Sequence, residues 1–145
     1  MLILVVAAGF AACQTNDKKS AATNSIPKEE RDKAILDTAN FTSIQWLDSI
    51  YKDMGKVPEG TMVEVAFRFK NSGTKVLIID DVTAGCGCTV PEKPERGYAP
   101  GEEGVIKATF NSKGRIGENN KELYVTSNTY PKPQGLTFRV EVIGK

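Results

Sequence analysis

Cys86 and Cys88, separated only by Gly87, are the residues of this chain best suited to chemistry. They stand in Ala84-Gly85-Cys86-Gly87-Cys88-Thr89, between a strongly apolar run and a stretch rich in proline and glycine. Three uses fit two thiols at this spacing. They can close a small disulfide ring, because Cα atoms two residues apart reach the window of roughly 4.4–6.8 Å when glycine lets the chain turn. They can exchange disulfides with another thiol, which requires a thiolate stabilised by a nearby cation, and Lys93 and Arg96 are close in sequence. They can bind a soft metal such as Cu(I), with Met54 and Met62 as further soft donors.

The chain contains no histidine. A zinc shell around the two sulfurs would therefore need carboxylates or a second chain to complete four ligands. Ser112, Thr126 and Ser127 likewise have no imidazole to activate them. Asp80-Asp81 and Glu102-Glu103 are paired acids, but neighbours on an extended chain point to opposite faces. No glycine-rich phosphate loop is present. Catalysis is not expected, and neither is a cofactor.

The third cysteine, Cys13, makes the count odd, which in an exported protein calls for an explanation. Residues 1–12, MLILVVAAGFAA, are apolar throughout and end in small residues. Their length suits the apolar region of a signal peptide and falls short of the roughly 20 residues that a membrane-spanning helix needs. Phe10-Ala11-Ala12-Cys13 resembles the bacterial lipoprotein box, in which the cysteine is acylated and becomes the new N-terminus. Phe10 stands where leucine is usual, and no basic residue precedes the apolar run. We therefore expect a lipoprotein signal peptide at 1–12, lipidation at Cys13, and a membrane attachment through that lipid. Cys86 and Cys88 then remain as a pair.

Residues 13–40 read as a flexible tether. Their polar start, Gln14-Thr15-Asn16-Asp17-Lys18-Lys19-Ser20, suits a spacer. Pro27 and the acidic residues after it can begin a short helix, with too little apolar content to hold it firmly on a core.

From Phe41 the hydrophobic period becomes two. Val63, Val65, Phe67 and Phe69 alternate with Glu64, Ala66, Arg68 and Lys70, giving one buried and one wet face. Extended segments are expected around residues 42–48, 51–57, 62–70, 75–82, 104–111, 119–128 and 135–143. The stretch between Pro91 and Gly101 reads as a long irregular connection. About seven short strands with no helical period predict an all-β, immunoglobulin-like β-sandwich over residues 41–145. Cys86 and Cys88 are too close together to link two sheets as antibody cysteines do, and Trp46 reads as a packing residue. With 19 basic and 18 acidic residues and a net charge of +1, the chain has no basic surface to recruit nucleic acid.

Several motifs occur in a characteristic order: Gly55 to Gly60, Phe67-Arg68-Phe69-Lys70-Asn71-Ser72-Gly73, Gly85-Cys86-Gly87-Cys88-Thr89-Val90-Pro91, Pro100-Gly101-Glu102, and Lys121 through Ser127-Asn128. Over about residues 42–143 this order resembles domain of unknown function 1573, a group common in exported proteins of Bacteroidetes and related bacteria. Gly85 and Val140 depart from the residues usual there. The resemblance implies an immunoglobulin-like fold akin to sperm-protein and chaperone-type sandwiches, at a periplasmic or surface location, and supplies no activity. The expected function is a lipid-anchored module for binding or envelope assembly, on the outer membrane or a periplasmic face, with an envelope protein as partner. The alternative is an envelope thiol–disulfide or copper-handling protein using Cys86 and Cys88.

Overall fold

Alternation along the strands decides which side of each faces inward. The computed structural model describes residues 25–144, so the expected signal segment and Cys13 lie outside the described residues. Among the described residues, nine strands follow an α-helix and a short 3-10 turn (Thr38–Asn40): β1 (Ile44–Trp46), β2 (Tyr51–Pro58), β3 (Met62–Asn71), β4 (Leu77–Ala84), β5 (Thr89–Glu92), β6 (Gly97–Tyr98), β7 (Glu103–Asn111), β8 (Gly117–Ser127) and β9 (Gln134–Ile143). They form two sheets, ordered β1-β3-β7-β5 and β2-β9-β8-β4-β6. The predicted sandwich is present. The stretch read as an irregular connection holds two of its strands, because β5 pairs with β7 and β6 with β4 despite the local prolines.

The inward residues of both sheets make one core. Phe67, Phe69, Phe110 and Phe138 are fully buried, together with Leu77, Ile79, Ile106, Leu123 and Leu136. Each such side chain contributes about 1.5–3 kcal/mol relative to exposure. Phe110 of one sheet meets Phe138 of the other edge-on, with ring centroids 6.2 Å apart. Trp46 packs edge-on against Phe69 at 5.9 Å, and its Nε1 donates to Gln134 Oε1 at 2.7 Å. This indole is a packing residue with its one donor satisfied.

The chain changes sheet between β1 and β2. β1 runs antiparallel to β3, whereas β2 lies parallel to β9 in the opposite sheet. Asp48, in the connection, fixes the departure. Its carboxylate accepts hydrogen bonds from the Arg68 backbone N–H at 3.0 Å, the Arg68 guanidinium at 2.8 and 3.0 Å, and Lys52 Nζ at 3.0 Å. These bonds to Arg68, and then Lys52, hold the Asp48 carboxyl well below the usual carboxylate range.

The segment from residue 25 to 40, read above as the end of a tether, packs on the sandwich. Helix α1 (Lys28–Leu36) has no apolar stripe, its three apolar residues standing together at its end. Charged groups hold it in place. Arg31, only 9% exposed, donates from Nε to the Ile26 carbonyl and pairs with Glu95 at 2.7 Å, while Ala34 is buried and Lys132 Nζ donates to the Ile35 carbonyl. Among the described residues no helix is long and apolar enough to cross a membrane.

Candidate functional site

The cysteine stretch is the crossover between the sheets. β4 lies inside the five-stranded sheet and β5 at the edge of the four-stranded one, so residues 85–88 carry the chain from one layer to the other. Cys86 and Cys88 are joined in a disulfide with their Cα atoms 5.3 Å apart. Gly87 has neither a positive φ nor any neighbour near a hypothetical Cβ, so the ring closes without glycine's conformational freedom.

Cys88 is buried, at 6% exposure, and Cys86 packs half-buried against the core. Thr89 Oγ1 lies 3.8 Å from one sulfur and 3.9 Å from the other. The backbone ties the ring to both sheets: Gly85 N–H donates to the Glu122 carbonyl on β8, and Asn111 N–H on β7 donates to the Cys88 carbonyl.

Arg96, one cationic partner considered for these sulfurs, is placed elsewhere. Arg96 pairs with Glu102 and stacks over Tyr98, whose partner Leu77 begins β4, whereas the disulfide follows the end of β4. Met54 packs against the core and Met62 is exposed. Lys121 stands nearer in the fold, with Nζ 5.5 Å from the ring centroid of Phe110, which pairs with Thr89. Burial, then the charge of Arg115, pushes its pKa down. Among the described residues no cluster of three or more Cys, Asp or Glu could hold a metal ion.

What the stretch does for the fold follows from its hydrogen bonds. The bond from Asn111 to Cys88 turns the Cys88 backbone toward β7, and alternation along an antiparallel ladder then turns Val90 and Glu92 the same way. Thr89 and Pro91 therefore face outward. Thr89 N–H is taken by the Cys86 carbonyl at 3.4 Å, and Pro91 has no N–H to offer. The edge strand presents no free donor, so Cys-Gly-Cys-Thr-x-Pro closes a sheet edge against strand addition.

The other motifs are structural in the same sense, at the opposite end of the sandwich. Asn71 is fully buried, on the inward side of the β3 alternation, and every bond its amide can make serves the frame. Its Oδ1 accepts from Thr42 Oγ1 and Gly73 N–H, and its Nδ2 donates to the Lys75 and Tyr98 carbonyls. Asn128 accepts from Ile78 N–H and donates to the Asn40 and Val76 carbonyls. A Cβ on Gly73 would lie 2.5 Å from the Ser43 nitrogen. Gly101 has a φ of +82°, which admits glycine readily, and the next residue, Glu102, accepts from Ala99 N–H and pairs with Arg96. The Ala99 bond, then the Arg96 bond, lowers the Glu102 pKa. The inward position of Asn71 is a signal already present in the sequence: an amide at a core step of an alternating strand must have its bonds met inside.

A family model described as "Protein of unknown function (DUF1573)" matches residues 44–142. The chain belongs to this family. Its match begins at β1 and ends in β9, so the DUF1573 unit is the sandwich itself. Among solved structures, a protein of unknown function from Porphyromonas gingivalis W83 superposes with a TM-score of 0.61 at 16% identity, over 73% of this chain and 49% of that one. The chain thus spans about half the length of that protein. The ASH/PapD-like domain 7 of human CEP192 superposes with a TM-score of 0.60 at 9% identity, over 73% of this chain and 89% of that domain. At such identities these likenesses show the fold alone. No curated protein matches the DUF1573 chain in sequence.

Proposed function

We propose that this protein is an exported, lipid-anchored module that binds another envelope component or assists its assembly, and that it performs no catalysis of its own. The observation that carries this is the use of the motif residues. Asn71, Gly73, Cys86, Cys88, Pro91, Gly101, Glu102 and Asn128 all hold the frame, by hydrogen bonds, close contacts or an edge closure. A chain whose distinctive residues build a rigid sandwich is suited to presenting surfaces.

The anchor belongs to the same proposal. Cys13 follows the lipoprotein-like box, and the described chain begins at Ser25, which bridges Arg96 beside β6. β6 pairs with the first residues of β4, and the disulfide lies beyond its last. Eight strand residues separate these ends, about 26 Å at ~3.3 Å per residue. A lipid on Cys13 would thus be joined to the sandwich through its Asn71 end, remote from the disulfide. Cys13→Ala in the full chain is expected to move the protein from the membrane to the soluble fraction of a lipoprotein-producing bacterium. Retention in the membrane fraction would refute the anchor.

A further inference from the structure

We infer that the lower half of the β3 edge, residues 62–66, is where this module receives a partner, as an added β-strand with a basic side chain opposite Glu64. The inference rests on the binding-module reading and follows from where the backbone groups of the outer strands point.

β3 pairs with β7 along its length, and Val63, Val65, Phe67 and Phe69 stand opposite Phe110, Ala108, Ile106 and Gly104. The bond from Ser72 N–H to the Ser43 carbonyl turns the even-numbered residues of β3 toward β1. β1 covers only residues 69–71 of β3. Where β1 leaves, Leu47 N–H donates to the Arg68 carbonyl and the Asp48 carboxylate accepts the Arg68 N–H, so position 68 is closed. Lys52 Nζ reaches across from the other sheet to the Ala66 carbonyl. Below that, the N–H groups of Met62, Glu64 and Ala66 and the carbonyls of Met62 and Glu64 have no partner among the described residues. Three donors and two acceptors in alternation are what a strand added beside β3 would bond.

The remaining edges are short or guarded, β1 having only three residues. β5 is closed by Thr89 and Pro91, as shown above. β6 is flanked by Ser25, which bridges Arg96, and by Ile26, whose N–H donates to the Glu95 carbonyl. β2 is interrupted by a register shift between Asp53 and Lys56, with Gly55 at a φ of +73° and its N–H on Asp53 Oδ1, and it ends at Pro58. Register breaks, prolines and short lengths are the usual means of keeping an edge unpaired. The lower part of β3 has none of these.

Side chains beside the open stretch select the occupant. Met62 is 57% exposed and Glu64 is exposed on the same outward face. A shallow hollow of about 270 Å³ adjoins them, lined by Glu64, Ala66, Glu92, Lys107 and Thr109, with two carboxylates to one ammonium. A second copy of this chain, paired antiparallel about Glu64, would set two Glu64 carboxylates directly opposite one another, which destabilises a ladder. The fitting partner is a different chain, extended, with Lys or Arg opposite Glu64.

Amide hydrogen exchange followed by NMR tests this on the full chain carrying Cys13→Ala. In the free protein the amides of Glu64 and Ala66 are expected to exchange fast while those of Val63, Val65 and Phe67 are protected. The probe is a synthetic peptide of alternating Val and Lys. At about ten times its Kd it is expected to slow Glu64 and Ala66 exchange about tenfold, with shifts confined to residues 62–66. An alternating Val and Glu peptide is expected to do neither, and Glu64→Lys to reverse the preference. Glu64→Pro removes the central outward donor and no β3–β7 ladder bond, so it should fold and lose the response.

The inference is overturned if the Val–Lys peptide perturbs nothing at residues 62–66 at millimolar concentration, or if both peptides act alike. Protection of the same amides by raising protein concentration alone would make the occupant a second copy and overturn the assignment of a different chain. A response at some other edge removes this edge and leaves the binding role standing. Failure to capture any envelope protein from any surface position removes that role itself.

Discussion

Asn71→Ala is expected to destabilise the folded domain by about 3–4 kcal/mol, because buried polar groups left without partners cost about 1–3 kcal/mol each. The amide holds four groups at once: the Thr42 hydroxyl, the Gly73 N–H and the Lys75 and Tyr98 carbonyls. The Tyr98 bond lies wholly in the interior. Alanine replaces none of these, and the space left is too enclosed for every orphan to find water. Urea unfolding of the wild type and variant should show a lower midpoint with an unchanged slope. A loss below about 1 kcal/mol, the net worth of one ordinary hydrogen bond, would mean that the amide is not the organising group at that end of the sandwich.

Gly104→Ala is expected to cost about 1–3 kcal/mol through overpacking. Gly104, the second residue of β7, lies beside the edge-on pair Phe69 and Tyr98, whose ring centroids are 4.9 Å apart. A methyl there would meet Phe69 Cζ and Tyr98 Cε1 at 2.5 Å each. Two buried rings packed against the core cannot swing aside as a surface lysine would. The thermal midpoint should fall by roughly 4–8 °C per kcal/mol in a domain of about 100 residues. Gly135→Ala serves as the control, since nothing lies within 4 Å of its added methyl, and it should change stability by no more than about 0.5 kcal/mol.

These two residues show where the sequence speaks and where it does not. The sandwich is legible because strands such as β3 and β9 alternate strictly, and a period of two has one structural meaning when one face is buried. β5 and β6 are not, since four and two residues are too few to show a period and their pairing comes from neighbours distant in sequence. The docking of α1 escapes an apolar-stripe criterion because its anchor is Arg31, reaching Glu95 across 64 residues. Gly104 looks like an ordinary strand-end glycine until Phe69 and Tyr98 are placed beside it.

The cysteine site was legible in part. Two thiols one residue apart suggest a small ring, and the disulfide is compatible with that spacing. The role of Pro91 was not, because it depends on which way each backbone group points, and only the bond from Asn111 to Cys88 fixes that direction. The open edge at residues 62–66 was invisible for the same reason. A strand's pattern of side chains says which face is buried and nothing about which edge is left unpaired.

The central claim is that the sulfurs serve the frame of a binding module and are not its chemistry. The most direct measurement is photocrosslinking in the native envelope, comparing wild type with the double variant Cys86→Ser/Cys88→Ser, each checked for folding by its thermal transition. The folded double variant is expected to capture the same envelope protein as the wild type. Loss of that capture in a variant that still folds would contradict the claim, and would return Cys86 and Cys88 to the role of reacting groups.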